Sequence, residues 1–169
     1  MKAKLIVEGK EFPIEIQDPE LQKLLTSQKK TGYERVGAGQ TYWLQDVNGK
    51  VCWDTESVCF TGDNKDYNSA NYYSDETIAK NNARADILMR QLRRFAVEHR
   101  KKNIDWDSKE QTKYNIYYNY SQHEIMIDQN IYYRYHGIIY FDSVKIAQLA
   151  IDTFHDELVW YFTEYKDSL

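Results

Sequence analysis

Two stretches of this chain align with each other without a gap, and they decide its fold. Residues 42–54 read YWLQDVNGKVCWD, and residues 116–128 read IYYNYSQHEIMID. Each places strand-forming residues on both sides of a short polar turn, which is the pattern of a β-hairpin. Asn48-Gly49 favours a type I′ turn in the first stretch, because both central residues of that turn need a positive φ. The sequence therefore predicts two hairpins built on one pattern.

Each hairpin is followed by a second shared motif, an aromatic pair that leads into a helix cap and an apolar helix start. Residues 72–79 read YYSDETIA, and residues 140–147 read YFDSVKIA. Serine and aspartate at a helix cap accept hydrogen bonds from the first unpaired amides of the helix. One helix is therefore predicted to begin near Ser74, capped by its side chain, and a second at Asp142 or Ser143.

Both helices carry an apolar stripe at helical spacing. The first helix is expected to end by residues 101–103, and its stripe consists of Ile78, Asn82, Ala85, Leu88, Met89, Leu92, Phe95, Ala96 and His99. The second is expected to run towards residue 165, and its stripe consists of Ala147, Ala150, Ile151, Phe154, Leu158, Tyr161, Phe162 and Tyr165. These patterns predict an α+β fold with a mainly antiparallel sheet, built from repeated hairpin-helix (ββα) units with two long helices.

The same patterns divide the chain into two parts. Residues 1–30 are predicted to form an N-terminal hairpin and a short helix, since Asp18-Pro19-Glu20 supplies a cap, a proline at the first helical position and an acid in the first turn. Residues 31–169 are expected to form the main α+β domain, with ββα-like repeats at about 41–102 and 113–166. Three further segments complete the prediction: a linker at 27–40, a polar irregular stretch at 55–71 and a candidate strand at 132–135.

Composition excludes several classes of protein. The chain is 15% aromatic and contains only two prolines, whereas disordered chains are poor in aromatic residues and rich in proline. It has no run of about 18 apolar residues and no apolar signal-peptide core near residue 1. Cys52 and Cys59 lack partners at metal-ligand spacing, so neither a disulfide framework nor a zinc site is expected. We therefore expect a soluble cytoplasmic protein with no membrane partner.

Charge is distributed unevenly along the chain. The net charge is -4, but residues 80–102 hold eight basic and two acidic residues, which leaves -10 on the remainder. The candidate binding residues of this basic helix are Arg84, Arg90, Arg93, Arg94, Arg100, Lys101 and Lys102. Guanidinium groups suit phosphate and carboxylate contacts, so the helix is predicted to bind nucleic acid or an acidic protein surface. The competing interpretation is a solvated helix face that forms ion pairs with the acidic remainder.

Tyrosines concentrate in the second repeat, where eight of the 15 lie between residues 114 and 140. Such rings form stacking platforms for single-stranded nucleic acid or contact surfaces for a protein partner. Tyrosine is also a strong strand former that tolerates exposure at its hydroxyl end. We expect the inward-facing alternate positions to pack in the core and the outward-facing ones to be available for contacts.

No pattern of catalytic residues accompanies these features. The four histidines are scattered, and no nucleotide-binding or hydrolase motif is present. Asp105 and Asp107 have a spacing seen in metal-dependent nucleases, but such pairs are also common in turns. Asp63, Asn64, Asp66 and Asn68 suggest a calcium loop, yet they lack the ligand order and closing glutamate of an EF-hand. We therefore predict no enzymatic activity, no catalytic residue, no cofactor and no bound metal.

Several motifs together resemble small proteins of bacterial prophages and mobile elements. They lie at residues 30–35 (KTGYER), 39–43 (GQTYW), 71–74 (NYYS) and 139–143 (IYFDS), so the likeness covers most of the chain. Such proteins include the anti-CRISPR inhibitors of type II-A systems, which bind Cas9. The chain looks like one of them.

This resemblance implies a phage-derived anti-defence protein that inhibits Cas9 by stoichiometric binding in the bacterial cytoplasm. Its partner would be Cas9 or the Cas9-guide RNA complex, whose cationic channel can accept an acidic surface. The acidic residues that could fill that role are Asp152, Asp156, Glu157 and Glu164. The basic helix would then face guide RNA or an acidic patch of the nuclease. The alternative function is a nucleic-acid-binding accessory protein that uses the basic helix and the tyrosine-rich strands.

Overall fold

The computed structural model describes residues 2–7, 10–20, 30–57 and 61–168. The chain divides into two compact units, Met1–Thr31 and Gly32–Leu169. In the first unit, β1 (Lys2–Val7) pairs with β2 (Lys10–Glu15) as an antiparallel hairpin. Pro19 and Glu20 are helical, and the Asp18 carboxylate accepts a hydrogen bond from the Glu20 amide at 2.8 Å. The remainder of the predicted short helix lies outside the described residues.

The second unit holds the other elements that the structure describes. In chain order they are β3 (Thr41–Gln45), β4 (Val51–Thr55), α1 (Thr61–Asn68), α2 (Glu76–His99), β5 (Lys113–Asn119), β6 (Glu124–Asn130), α3 (Val144–Thr153) and α4 (His155–Thr163). Strands β3 and β4 form one antiparallel hairpin and β5 and β6 another, and both pack against helices. The predicted α+β class is confirmed.

The two repeats are joined to their helices in the same way. Trp43 on β3 exchanges two backbone hydrogen bonds with Tyr73, both at 2.9 Å. Tyr114 on β5 exchanges two with Phe141, at 3.0 and 2.8 Å. Tyr73 and Phe141 are the equivalent aromatic residues of the repeated motif, and both are buried. Each long helix therefore starts from a residue that is fixed to the first strand of its own hairpin.

The β3–β4 turn differs from the predicted type I′ turn. Gly49 has a positive φ of 89°, but Asn48 is not among the non-glycine residues with positive φ in the described part of the chain. The Asp46 carboxylate accepts hydrogen bonds from the amides of Asn48 and Lys50, both at 2.8 Å, which stabilises a longer turn. His123, which aligns with Gly49 in the second hairpin, also has a positive φ, of 55°.

Four other details also depart from the sequence prediction. Helix α1 occupies part of the stretch predicted to be irregular, and residues 132–135 are not a strand. The N-cap of α2 is Asp75 rather than Ser74: its carboxylate accepts from the Ile78 amide at 3.0 Å. The second long helix is interrupted at Phe154, where φ is -114° and ψ is 22°, so it forms α3 and α4.

The main core lies between α2, the β5–β6 hairpin and the α3–α4 pair. Its buried members are Leu88, Leu92, Phe95, Ala96, Phe141, Ile146, Ala147, Ala150, Ile151 and Leu158. A smaller cluster of Tyr73, Ile78 and Ala79 packs against Tyr33, Trp43 and Val51. The apolar stripe of α2 is thus shared between the two repeats, whereas His99 at its end is exposed. None of the helices in the described ranges has the length and hydropathy needed to cross a bilayer.

Candidate functional site

The basic residues of α2 lie on different sides of that helix. Successive residues are rotated by about 100°, so Arg90, Arg93 and Arg94 fall within an arc of about 100°. Arg84 lies about 180° from Arg93 by the same geometry. The seven candidate cations therefore do not form one continuous surface.

Arg84 is engaged within the protein. Its Nε donates to Glu157 Oε2 at 2.8 Å and its Nη2 donates to Oε1 at 3.0 Å, so the contact is bidentate. The guanidinium carbon lies 3.9 Å from the centre of the Trp160 ring. The hydrogen bond that Arg84 donates to Glu157 also raises the pKa of Arg84. One candidate of the basic helix and one of the acidic face therefore pair with each other and join α2 to α4.

Three arginines of α2 form what we call the arginine face: Arg90, Arg93 and Arg94. All three side chains are exposed. Arg90 and Arg93 line a polar groove of about 390 Å³ between α2 and the β3–β4 turn. With the Gln45 amide oriented to satisfy both of its groups, its oxygen accepts from Arg90 Nη2 at 2.9 Å. Arg94 contacts Glu98 at 3.8 Å, and both of these side chains are well exposed.

The other three candidates form what we call the basic end: Arg100, Lys101 and Lys102, directly after α2. Their side chains are exposed, and no salt bridge to them occurs among the described residues. The backbone here is held by Asp142, whose Oδ2 accepts from the amides of Lys101 and Lys102 at 2.7 and 3.0 Å. Asp142, one of the two predicted helix caps, therefore holds the end of α2 beside the start of α3.

The three remaining acidic candidates each have different surroundings. Asp152 accepts from Gln148 Nε2 at 2.9 Å on the exposed side of α3. Asp156 lies 3.2 Å from the Nδ1 atom of the neighbouring His155. Glu164, just after α4, is exposed.

A group of exposed tyrosines next to the second hairpin is more prominent than the sequence indicated. Tyr132, Tyr133 and Tyr135 are 68%, 64% and 55% exposed, and we call residues 132–135 the tyrosine segment. Because this segment is not a strand, alternation does not decide which of its rings face solvent. The signal in the sequence was the clustering of tyrosine, arginine and histidine immediately before Gly137.

The suggested calcium loop is a network of hydrogen bonds between side chains. The Tyr42 hydroxyl lies 3.0 Å from Asp63 Oδ1 and 3.1 Å from Asp66 Oδ2. Asp63 Oδ2 also accepts from the Ser57 amide at 2.7 Å. Burial, followed by the hydrogen bonds to the two aspartates, raises the pKa of Tyr42 well above its usual value. These carboxylates serve to fasten α1 to β3.

A second part of that network centres on Glu56, which is buried. Arg35 donates to its Oε1 through Nη2 at 2.7 Å, and the Tyr72 hydroxyl donates to Oε2 at 2.8 Å. The hydrogen bond from Arg35 lowers the pKa of Glu56. Burial raises the pKa of Tyr72 to about 12. The network therefore favours the ionised carboxylate of Glu56 and the protonated phenol of Tyr72.

The Asp105 and Asp107 pair forms a turn. Asp105 Oδ1 accepts from the Asp107 amide at 2.9 Å, as expected for an aspartate turn. No group of three or more metal-ligating His, Cys, Asp or Glu side chains occurs in the part of the chain that the structure describes.

No known protein family, curated protein or solved structure matches this chain.

Proposed function

We propose that this protein is a phage-derived anti-defence protein that inhibits a type II-A Cas9 by stoichiometric binding. The partner is Cas9 or the Cas9-guide RNA complex, and the contact is made by the arginine face. The resemblance of the chain to prophage proteins that include anti-CRISPR inhibitors supplies the identity of the partner. The charge and the positions of Arg90, Arg93 and Arg94 support the choice of the arginine face as the binding surface.

The observation that carries the surface assignment is the arrangement of Arg90, Arg93 and Arg94. Three guanidinium groups project from one side of a 24-residue helix whose opposite side is built into the core. Their contacts within the described residues are limited to exposed or neutral groups. Guanidinium groups bind carboxylates and phosphates well. Because the helix that carries them is already rigid, binding costs only the conformational entropy of the arginine side chains themselves.

The test is capture of Cas9, with and without guide RNA, by the wild-type chain and by the variant Arg90→Glu/Arg93→Glu/Arg94→Glu. We expect the wild-type chain to be captured with the nuclease and to reduce DNA cleavage. Reversing three charges at the interface should weaken binding at least about tenfold, because like charges then face each other.

The matched control reverses three exposed lysines away from that groove, Lys65→Glu/Lys109→Glu/Lys166→Glu, and so produces the same change in net charge. This variant should bind Cas9 as the wild-type chain does. Absence of capture under both conditions would refute the Cas9 partner. Equal loss in both variants would refute the arginine face and indicate an effect of net charge alone.

The alternative function, direct nucleic-acid binding by an accessory protein, predicts a different result. The isolated chain would bind duplex DNA or structured RNA in the absence of Cas9, and its affinity would fall steeply as salt is raised. Capture of Cas9 would then depend on the nucleic acid and be lost after nuclease treatment.

A further inference from the structure

The tyrosine segment exposes aromatic surface that the fold does not use for packing. Tyr133 and Tyr135 have near-parallel rings, with centres 6.4 Å apart and planes inclined by 24°. No hydrogen bond to the hydroxyl groups of Tyr132, Tyr133 or Tyr135 occurs within the described residues. In contrast, Tyr42 and Tyr72 are buried, stacked on each other and hydrogen-bonded. The ring faces of the segment are thus available to a partner.

The backbone that carries these rings is held in place. The Tyr140 hydroxyl accepts from the Tyr135 amide at 2.9 Å and donates to the Tyr133 carbonyl at 3.4 Å. The Tyr133 amide donates to Asn130 Oδ1 at 3.1 Å. Lys113, which is fully buried, donates to the Ile131 carbonyl at 3.1 Å. A surface ordered before binding loses less entropy when a ligand is bound.

The tertiary structure attaches the basic end and the tyrosine segment to the same stretch of chain. Tyr140, which holds the tyrosine segment, is only two residues from Asp142, which holds the amides of the basic end. Two residues of extended chain span about 7 Å, so both surfaces are attached to the same short stretch of chain although 30 residues separate Lys102 from Tyr132. Within the tyrosine segment, the guanidinium of Arg134 lies 5.6 Å from the centre of the Trp106 ring.

We infer that the tyrosine segment and the basic end together form a binding site for single-stranded nucleic acid. The lysines and arginine of the basic end contact phosphates, and Tyr132, Tyr133 and Tyr135 stack on bases. Aromatic platforms beside a cationic track are how proteins bind single strands without sequence preference, since every base has a π-face. In a duplex the bases are paired and already stacked on each other, so their faces are not accessible to the tyrosine rings. This inference does not depend on Cas9 or on the arginine face.

The test is fluorescence anisotropy with labelled single-stranded RNA and DNA of about 12 nucleotides and with a duplex of the same length. We expect both single strands to bind and the duplex to bind at least about tenfold more weakly. Three phosphate contacts predict a slope of about -2 in log affinity against log salt concentration. The variant Arg100→Ala/Lys101→Ala/Lys102→Ala should reduce both the affinity and that slope.

Stacking is tested by a pair of triple variants at Tyr132, Tyr133 and Tyr135. Replacement of all three by Phe keeps the rings and should preserve binding, whereas replacement by Leu should weaken it at least about tenfold. Trp53→Leu removes an aromatic ring that is 69% exposed on the other hairpin, and it should leave binding unchanged. Circular dichroism melting of each variant verifies that the fold is retained, and the Phe variant keeps the test valid if the Leu variant is unstable.

Three results would overturn the site. They are no binding of single strands at low salt, equal affinity for duplex, and full affinity in the Leu variant when it is folded. A chain that binds single strands but not Cas9 would support this site and refute the proposed function. A chain that inhibits Cas9 but binds no free single strand would do the reverse.

Discussion

Tyr72 combines two hydrogen bonds and a ring contact in one buried side chain. Its hydroxyl donates to Glu56 and accepts from the Val36 amide at 3.1 Å, while its ring stacks on Tyr42 at 4.0 Å. The side chain is only 1% exposed. Because the Glu56 side chain is itself buried, its carboxylate cannot replace the hydroxyl with solvent at no cost.

Tyr72→Phe should therefore lower the free energy of unfolding by about 1–3 kcal/mol, the usual cost of leaving a buried polar group unpaired. Urea denaturation measures the change as a lower midpoint at an unchanged slope. The matched control is Tyr67→Phe, since Tyr67 is exposed and its hydroxyl has no hydrogen bond among the described residues. The control should change stability by no more than about 0.5 kcal/mol. Equal midpoints for the wild-type chain and the Tyr72 variant would show that the network contributes nothing to stability.

The second long helix is interrupted, and later ends, at threonines whose side chains bond back to its own backbone. Thr153 Oγ1 donates to the Leu149 carbonyl at 2.6 Å immediately before the interruption at Phe154. Thr163 Oγ1 donates in the same way to the Val159 carbonyl at 2.7 Å, where α4 ends. Such back-bonding competes with the backbone hydrogen bonds and bends helices. The interruption gives α4 its own direction, with Leu158 in the core and Trp160 under Arg84.

The N-caps of α2 and α3 provide a matched test of capping. Asp75 has extended backbone angles and accepts from the Ile78 amide, whereas Ser143, the equivalent residue of α3, makes no such hydrogen bond. Asp75→Ala should lower the free energy of unfolding by about 1 kcal/mol, within a range of about 0.5–2. Ser143→Ala should have a smaller effect in the same thermal or urea unfolding experiment. A larger loss at Ser143 than at Asp75 would contradict this assignment of the caps.

The Gly32–Leu169 unit contains both hydrophobic clusters, and its elements are tied to one another. Gly32 belongs to this unit: its carbonyl accepts from the Ser74 amide at 2.8 Å, and a Cβ at this position would lie 2.8 Å from Ile78 Cγ1. Its φ of 93° is also one that few other residues adopt. The first residue of the unit is thus already part of its packing.

A fragment of residues 31–169 should therefore fold without residues 1–30. Both hydrophobic clusters lie within it, so we expect cooperative thermal unfolding and an α+β circular dichroism spectrum. Its capture of Cas9 and binding of single strands should match those of the full chain, because both surfaces lie within it. A fragment without a cooperative transition would show that the first unit is required for folding. The Gly32→Val variant of the full chain, which should be destabilised, serves as a positive control for damage to the core.

Much of the architecture followed from local patterns. Alternation and turn residues predicted both hairpins, and residues at helical spacing predicted α2 and most of the second helix. Helix α1 was not predicted, because it has no apolar stripe. Hydrogen bonds hold it instead: Asp63 and Asp66 bond to Tyr42, and Asn64 bonds to Arg35. Tyrosines that were expected in a strand instead lie in the tyrosine segment, where the Tyr140 hydroxyl takes up backbone hydrogen bonds.

The sequence by itself determined the repeated hairpin and helix, since turn chemistry and periodicity depend on residues within a few positions of one another. Only the tertiary structure decided which charges remain available to a partner. Arg84 is paired with Glu157, 73 residues later, whereas the arginine face is left towards solvent. It also decided that the basic end and the tyrosine segment are attached to neighbouring residues, Asp142 and Tyr140. Contacts of this kind depend on how the helices pack, and local sequence does not encode the distance between residues far apart in the chain.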